Sequence, residues 1–157
     1  MSDADIDRVG VRGIYLSNYV RWDANDHGPL MQKLYGWEPA PAGFFERTYR
    51  TMSNLDDMHE NGIHDYMKFV KFGYGRATDH VCKDIRAGLL TRERGIEIVR
   101  ARDHVKPRDL YRWLPYVGWT EQRFDEVADR FRDKRVWWRE DGQWKKGNLW
   151  DAANAQG

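Results

Sequence analysis

The feature that most constrains this chain is a succession of short amphipathic segments between residues 62 and 131, separated by glycine, threonine and proline. Apolar side chains recur at helical spacing from Ile63 to Phe72 and again from Ala77 to Leu89. Thr91 and Thr120 are good N-caps for two later helices. The spacing therefore predicts a helix-rich domain rather than a protein built on a large sheet.

The two flanks of this region follow other patterns. Residues 11–20, VRGIYLSNYV, form an apolar run that predicts a short strand, with no second strand pattern nearby to pair with it. Residues 26–35 have the spacing of a further short helix. Near the other end, Asp141-Gly142 is a strong signal for a two-residue hairpin turn. The predicted fold class is mainly α, with four to five short helices, an orphan N-terminal strand and a C-terminal β-hairpin.

Charge and cysteine content exclude several classes of protein. The 26 basic and 25 acidic residues give a net charge of +1, without the basic excess of a protein that binds nucleic acid through its phosphates. The single cysteine, Cys82, excludes an internal disulfide and a zinc site built from cysteines. The polar N-terminal residues do not resemble a signal peptide, and no apolar run has membrane-spanning length. We therefore expect a cytoplasmic protein with no membrane span and no nucleic-acid partner.

The densest cluster of polar side chains lies between residues 62 and 86, on both sides of a glycine turn. Basic residues around a turn that opens a helix suit a phosphate or carboxylate, because the amides of the first helical turn point outward. Arg76, His80 and Asp84 also recur at four-residue spacing. That spacing is equally typical of an ion-paired, solvent-exposed helix face, so the pattern alone leaves both interpretations open.

Side chains that bind metals are present in the same region but are poorly spaced. His/Asp pairs stand at residues 64–65 and 79–80, and His59, Glu60 and His64 approach the zincin pattern. The second histidine of that pattern comes one residue too late to share a helix face with the first. We therefore expect no metal site.

The eight tryptophans gather largely in the last third of the chain. Such residues most often form a core or pack across a hairpin, and less often form a contact surface for another polypeptide. Trp137 and Trp138 are adjacent on a predicted strand, so their side chains must face opposite sides. One of the two is expected to lie outside the local core.

The stretch KFGYGRATDHVCKDIRAGLLTRERGIEIV, residues 71–99, resembles the signature of the N-acetyl sugar amidotransferases of bacterial surface-polysaccharide and flagellin-sugar biosynthesis. Upstream, GVRGIYLSNYVRWDA resembles the segment after the last core strands of that family's catalytic domain. GIHDYMKFVKFG and DHVKPRDLYRWLPYVGWTEQRFDEVADRFRD also follow in family order, so that the resemblance covers nearly all of residues 9–139. It implies three parts: residues 1–25 are the end of a catalytic α/β domain, residues 26–62 form a connecting segment, and residues 63–150 form a helical C-terminal domain with a terminal hairpin.

The resemblance implies an ATP- and Mg-dependent conversion of an acetamido to an acetamidino group on a nucleotide- or lipid-linked sugar. Ammonia would come from a glutaminase subunit similar to those of histidine biosynthesis. The family binds ATP through a pyrophosphatase-type phosphate loop (PP-loop), S-G-G-x-D-S, whereas this sequence has no Gly-Gly pair and lacks the family's N-terminal cysteine pairs. The chain thus resembles the C-terminal part of an α/β PP-loop-type enzyme. ATP would be bound by a separate N-terminal portion rather than by this chain alone.

The family motif also implies roles for individual residues. Lys71 and Arg76 are expected to bind anionic groups such as pyrophosphate or a sugar phosphate. His64, in the same cluster, is assigned to substrate binding with them. Asp79 and His80 are expected to orient the substrate or to transfer protons, which makes them the candidate catalytic pair.

Asn18 stands at the polar end of the predicted strand, and Trp22 and Asp23 come just after it. All three are expected to contact the sugar, since ligands of open α/β sheets lie at the carboxyl ends of strands. Three functions remain open for the whole chain. It is part of an amidotransferase that acts with an ATP-binding partner, a non-catalytic sugar- or partner-binding module, or a small helical interaction protein unrelated to the family.

Overall fold

The computed structural model of the chain describes residues 2–52 and 61–151, which fall into two compact units divided between Glu38 and Pro39. The described part holds seven α-helices, one short 3₁₀ helix and one two-stranded hairpin. The predicted mainly α class with a closing hairpin is confirmed, with more helices than expected. The predicted boundaries at residues 25 and 62 stay predictions. His59 and Glu60 of the zincin-like pattern lie outside the described residues.

The first unit contains two helices and an irregular connection. Helix α1, Asp3–Val9, was not predicted, although Ser2 and Asp5 form a reciprocal capping box at its start and Gly10 ends it in the left-handed conformation. Helix α2, Ala24–Tyr35, begins at Asp23, whose carboxylate accepts a hydrogen bond from the Asn25 amide at 2.9 Å.

The predicted orphan strand at residues 11–20 is wrong. The backbone turns there into a 3₁₀ helix, Leu16–Asn18, and the Tyr19 amide bonds to the Leu16 carbonyl at 2.9 Å. No strand in the described part of the chain runs beside this segment. An extended segment without a partner leaves its amides and carbonyls unpaired, so an apolar run alone does not produce a strand.

The first unit also leaves large apolar side chains in solvent. Exposed residues of this kind include Ile14 at 69%, Tyr19 at 73% and Trp22 at 71%. Among its described residues only Gly28 is buried. Several large apolar side chains left exposed in one short unit are typical of a region that contacts another polypeptide.

The second unit holds the main hydrophobic core. Its helices and strands are α3 (Asn61–Phe72), α4 (Arg76–Arg86), α5 (Arg92–Arg102), α6 (Asp109–Val117), α7 (Glu121–Asp129), β1 (Trp137–Glu140) and β2 (Gln143–Lys146). Helix α3 packs on α6 and α7, and all three share one apolar cluster with the start of β1. The buried members of that cluster are Tyr66, Phe69, Val70, Leu110, Leu114, Phe124, Ala128 and Trp137.

Helices α4 and α5 form a second, closely packed pair. Thr91 caps α5 as predicted, and its hydroxyl accepts a hydrogen bond from the Arg94 amide. Gly95 lies at the contact between the two helices. A Cβ atom there would meet Val81 Cγ1 at 2.5 Å and Ile85 Cδ1 at 3.0 Å, so the absence of a side chain sets the distance between α4 and α5.

The hairpin forms as predicted. Strands β1 and β2 pair antiparallel, with Glu140 opposite Gln143. Asp141 and Gly142 both have positive φ, 50° and 75°, as the two-residue turn requires. Trp137 lies in the core and Trp138 is half exposed, which confirms that the two face opposite sides.

Candidate functional site

The turn between α3 and α4 organises the polar part of the second unit. Gly73 has a φ of 76°, and a Cβ atom at this position would lie 2.6 Å from Val136 Cγ1. Both observations require glycine. Gly75 then returns the chain to an extended conformation, from which α4 begins at Arg76.

A carboxylate from the end of α5 occupies the start of α4. The side chain of Asp103 is buried and accepts hydrogen bonds from the amides of Gly75 at 2.9 Å and Ala77 at 3.0 Å. It also accepts one from the Thr78 hydroxyl at 2.5 Å. A negative charge is favourable here because unpaired amides give the N-terminus of a helix a partial positive charge. The amides that the sequence pattern suggested for a ligand anion are therefore already bonded to the chain's own carboxylate.

Arg47 lies beneath this cap and is almost fully buried. Its guanidinium donates hydrogen bonds to the carbonyl of Asp103 at 2.6 Å, to that of Asp65 at 3.3 Å and to that of Val105. Burial lowers the pKa of Arg47 to about 10, and the charges of Asp103 and Asp65 oppose that shift. Arg47 is thus still protonated at neutral pH, and it ties the segment before α3 to the end of α5.

Two of the predicted anion-binding or catalytic residues form ion pairs across the turn. Arg76 makes a bidentate contact with Asp65, with nitrogen–oxygen distances of 2.9 and 2.8 Å. Lys68 Nζ donates to Asp79 Oδ2 at 2.5 Å. These pairs join α3 to α4, and the roles of Arg76 and Asp79 toward a substrate stay predictions.

His80 is buried and lies next to an irregular segment before α3. Its Nδ1 atom lies 2.6 Å from the Thr48 hydroxyl oxygen. Burial, together with the positive charges of Arg50, Arg76 and Lys83, lowers the pKa of His80 to about 4, against the opposing effect of Asp79. The imidazole is therefore neutral at neutral pH, so it can accept a proton only in acid.

Asp84, one turn further along α4, anchors the same irregular segment. Its carboxylate accepts hydrogen bonds from the Tyr49 hydroxyl and from the Arg50 guanidinium. Burial and the bond to Asp84 raise the pKa of Tyr49 to about 12. The four-residue spacing of Arg76, His80 and Asp84 is thus an inward-facing polar row, not a solvent-exposed one.

The other predicted site residues are more exposed. His64 and Lys71 lie on the surface of α3, with His64 Nδ1 3.3 Å from Asp65 and Lys71 Nζ 5.1 Å from the ring of Phe72. Asn18, Trp22 and Asp23 belong to the first unit. Trp22 packs edge-on against His27 at 4.9 Å, and Asp23 is the N-cap of α2. No observation tests their predicted contacts with sugar.

A cavity of about 510 Å³ lies beside the α3–α4 turn. Three parts of the second unit line it: the α3–α4 turn with neighbouring residues of both helices, the end of α5, and the last residue of β2 with the segment that follows. Its lining includes Phe69, Tyr74 and Thr78, then Arg100, Asp103 and His104, then Lys146, Asn148 and Trp150. Gly73, Tyr74 and Thr78 of this lining belong to the KFGYGRATDH stretch.

The cavity combines aromatic and basic side chains. Arg100 and Lys146 both lie over the ring of Trp150, with charged atoms 5.8 and 5.7 Å from its centre. Burial lowers the pKa of Lys146, and the charges of Asp103 and Asp151 oppose the shift. Sequence reasoning missed this site. The tryptophan-rich end of the chain was the available signal, but it did not indicate which ring would face a cavity.

Within residues 2–52 and 61–151, no three His, Cys, Asp or Glu side chains are grouped to hold a metal ion. The helices of that same part of the chain are all too short or too polar to cross a membrane.

The structure thus defines a helical domain in which partly buried ion pairs brace a glycine turn beside a cavity of ligand size. Residues 43–150 match the family model described as "LPS biosynthesis protein WbpG-like, C-terminal domain". The chain therefore belongs to this family of lipopolysaccharide biosynthesis domains. A search of curated proteins gives no match.

Proposed function

We propose that this chain is the C-terminal portion of an ATP-dependent N-acetyl sugar amidotransferase that acts in the biosynthesis of lipopolysaccharide, O-antigen or flagellin glycans. The observation that carries the proposal is the position of the KFGYGRATDH stretch. Its residues Gly73, Tyr74 and Thr78 form one wall of the large cavity. The family match to lipopolysaccharide biosynthesis supports the same assignment.

The proposed reaction replaces the oxygen of an acetamido group by nitrogen. The amide oxygen attacks the α-phosphorus of ATP and displaces pyrophosphate. Ammonia then adds to the amide carbon, and AMP leaves with the former amide oxygen to give the acetamidino group. Adenylylation is needed because the oxygen of an amide is otherwise a poor leaving group.

The glycine turn before α4 does not offer a phosphate loop for ATP. The glycine turn before α4 has its amides on Asp103, and the sequence lacks the Gly-Gly pair of the PP-loop. We therefore assign ATP and Mg to a separate PP-loop portion, and the glutaminase to a further subunit. The exposed apolar side chains around Ile14, Tyr19 and Trp22 support a contact between the first unit and such a partner.

Reconstitution tests this proposal. The full chain is mixed with a PP-loop protein from the same genome, the glutaminase, glutamine, ATP, Mg and nucleotide-linked acetamido sugars. We expect amidine product and AMP, detected by mass spectrometry, only when the chain and the PP-loop protein are both present. Equal conversion without this chain would disprove the proposal.

The second candidate is a non-catalytic sugar-binding module, which the aromatic and basic lining of the cavity favours. It predicts that the chain binds a sugar but changes neither the rate nor the yield of conversion by the PP-loop protein. The same reconstitution, with and without the chain, therefore distinguishes the two functions.

A further inference from the structure

The cavity beside the α3–α4 turn has the size and lining of a small-molecule site. Its volume, about 510 Å³, falls within the roughly 300–1,000 Å³ that ligand pockets occupy. Phe69, Val99 and Leu149 provide apolar walls, and Thr78 and Asn148 add polar groups. Such a lining suits a ligand that has both an apolar face and hydroxyl groups.

Trp150 supplies the largest ring in this lining. It is partly buried, and it comes from the segment after β2, across the cavity from the turn. The C–H groups on one face of a pyranose ring form an apolar surface that packs on an aromatic face, while the hydroxyl groups at its edge take hydrogen bonds. A sugar ring therefore matches Trp150 together with the polar groups beside it.

Two basic side chains reach the same ring from different parts of the fold. Arg100 contacts Trp150 and forms no ion pair within the described residues. Lys146 donates to the Asn148 side-chain oxygen at 2.7 Å and to the Gly147 carbonyl at 3.2 Å, both uncharged acceptors. The nearby carboxylate of Asp103 is bonded to the start of α4. Two cations without a bonded carboxylate are placed to receive an anion from outside the chain.

We infer that the cavity binds a sugar that carries an anionic group, with its ring on Trp150 and its anion held by Arg100 and Lys146. The anion is a phosphate or a carboxylate, and both present oxygens to the same two side chains. The inference rests on the proposed function, because it names the class of substrate for that reaction. The cavity and its charged side chains are features of the fold and do not depend on which reaction takes place.

Binding to the full chain alone, without ATP or other proteins, tests the inference. Tryptophan fluorescence and calorimetry are used with N-acetylglucosamine, its anomeric phosphate, its uronic acid, inorganic phosphate and UDP. We expect one or both anionic sugars to bind at least tenfold more tightly than the neutral sugar and than phosphate. The stronger of the two anionic sugars identifies the source of the charge. Equal affinity for the neutral sugar or for inorganic phosphate would overturn the inference, as would equal binding of UDP without a sugar.

Substitutions locate the site. Arg100→Gln and Lys146→Gln should each weaken binding of the anionic sugar by about ten- to a hundredfold, as expected for loss of a hydrogen bond to a charged group. Arg100 is exposed, so its removal should leave the fold intact. Lys145→Gln is the matched control, because neighbouring side chains of a strand face opposite sides and Lys145 does not line the cavity. Equal affinities of all three variants and the unchanged chain would place the sugar elsewhere.

The two proposals fail separately. Conversion in the reconstituted system by an Arg100→Gln chain with unchanged KM would overturn the cavity assignment and leave the amidotransferase proposal standing. Binding of the anionic sugar without any conversion would do the reverse.

Discussion

Acid should destabilise the second unit through His80, and the size of the effect follows from its surroundings. The pKa of this imidazole falls from 6.5 to about 4 on folding. Between those two pH values the unfolded chain binds a proton that the folded chain does not, so the free energy of unfolding decreases as the pH falls. One pKa unit corresponds to about 1.4 kcal/mol, so a shift of roughly 2.5 units amounts to about 3 kcal/mol.

The variant His80→Asn isolates this contribution. Asparagine places a polar atom near the position of Nδ1 and can keep a hydrogen bond to Thr48, but it does not titrate. Urea unfolding, followed by tryptophan fluorescence at intervals from pH 7 to pH 4, gives the free energy of unfolding of both proteins. All other side chains are the same in the two proteins, so the difference between their pH profiles reports on His80. The unchanged protein should lose about 3 kcal/mol more than the variant across this range.

Two outcomes would refute the reasoning. Parallel profiles, within about 0.5 kcal/mol, would mean that folding does not lower the pKa of His80. If His64→Asn altered the pH dependence of the free energy of unfolding as much as His80→Asn does, the effect would not be specific to the buried ring, since His64 is exposed on α3. The control variant should instead follow the unchanged protein at every pH.

Three substitutions test other contacts of the second unit. Asp103→Asn should lower the free energy of unfolding in urea by about 3 kcal/mol, because it removes the buried charge that caps α4; a loss below about 1 kcal/mol would contradict this role. Gly95→Ala should lower the free energy of unfolding by about 1–3 kcal/mol through overpacking against Val81, which a lower melting temperature would show. A higher melting temperature would mean that the two helices can separate freely. Gly142→Ala should lower the free energy of unfolding by about 1 kcal/mol, since its φ of 75° disfavours a side chain. An unchanged melting temperature would mean that the turn does not require a positive φ at this position.

Local signals in the sequence were sufficient for much of the fold. The N-cap at Thr91, the N-cap at Thr120 and the turn at Asp141-Gly142 all depend on residues within a few positions of one another, and each forms as predicted. The capping box at Ser2 is an equally local signal that sequence reasoning overlooked. The prediction of a strand at residues 11–20 failed for a different reason, because strand pairing depends on a neighbouring segment that the local pattern does not reveal.

The candidate site was much less predictable. The cluster around Arg76 and His80 was recognised from its spacing, but the partner at the start of α4 is Asp103, more than 20 residues away. Nothing in the local pattern of Asp103 distinguishes it from a surface aspartate. The convergence of Arg100 and Trp150 likewise depends on how the hairpin places the segment that follows it. Contacts between distant residues require the packed fold, which spacing alone does not provide.

The position of Trp150 has a consequence for how the cavity comes into being. Residues 146–150 supply its third wall, and during synthesis they leave the ribosome only after all the described helices have done so. The helices of the second unit can therefore begin to fold while the cavity is still an open groove, and the cavity is completed only once residues 146–150 have emerged. A shortened chain that stops at residue 145 would keep every described helix and lose this wall. For the same reason, an affinity tag inserted after Trp150 would begin next to a residue that lines the cavity.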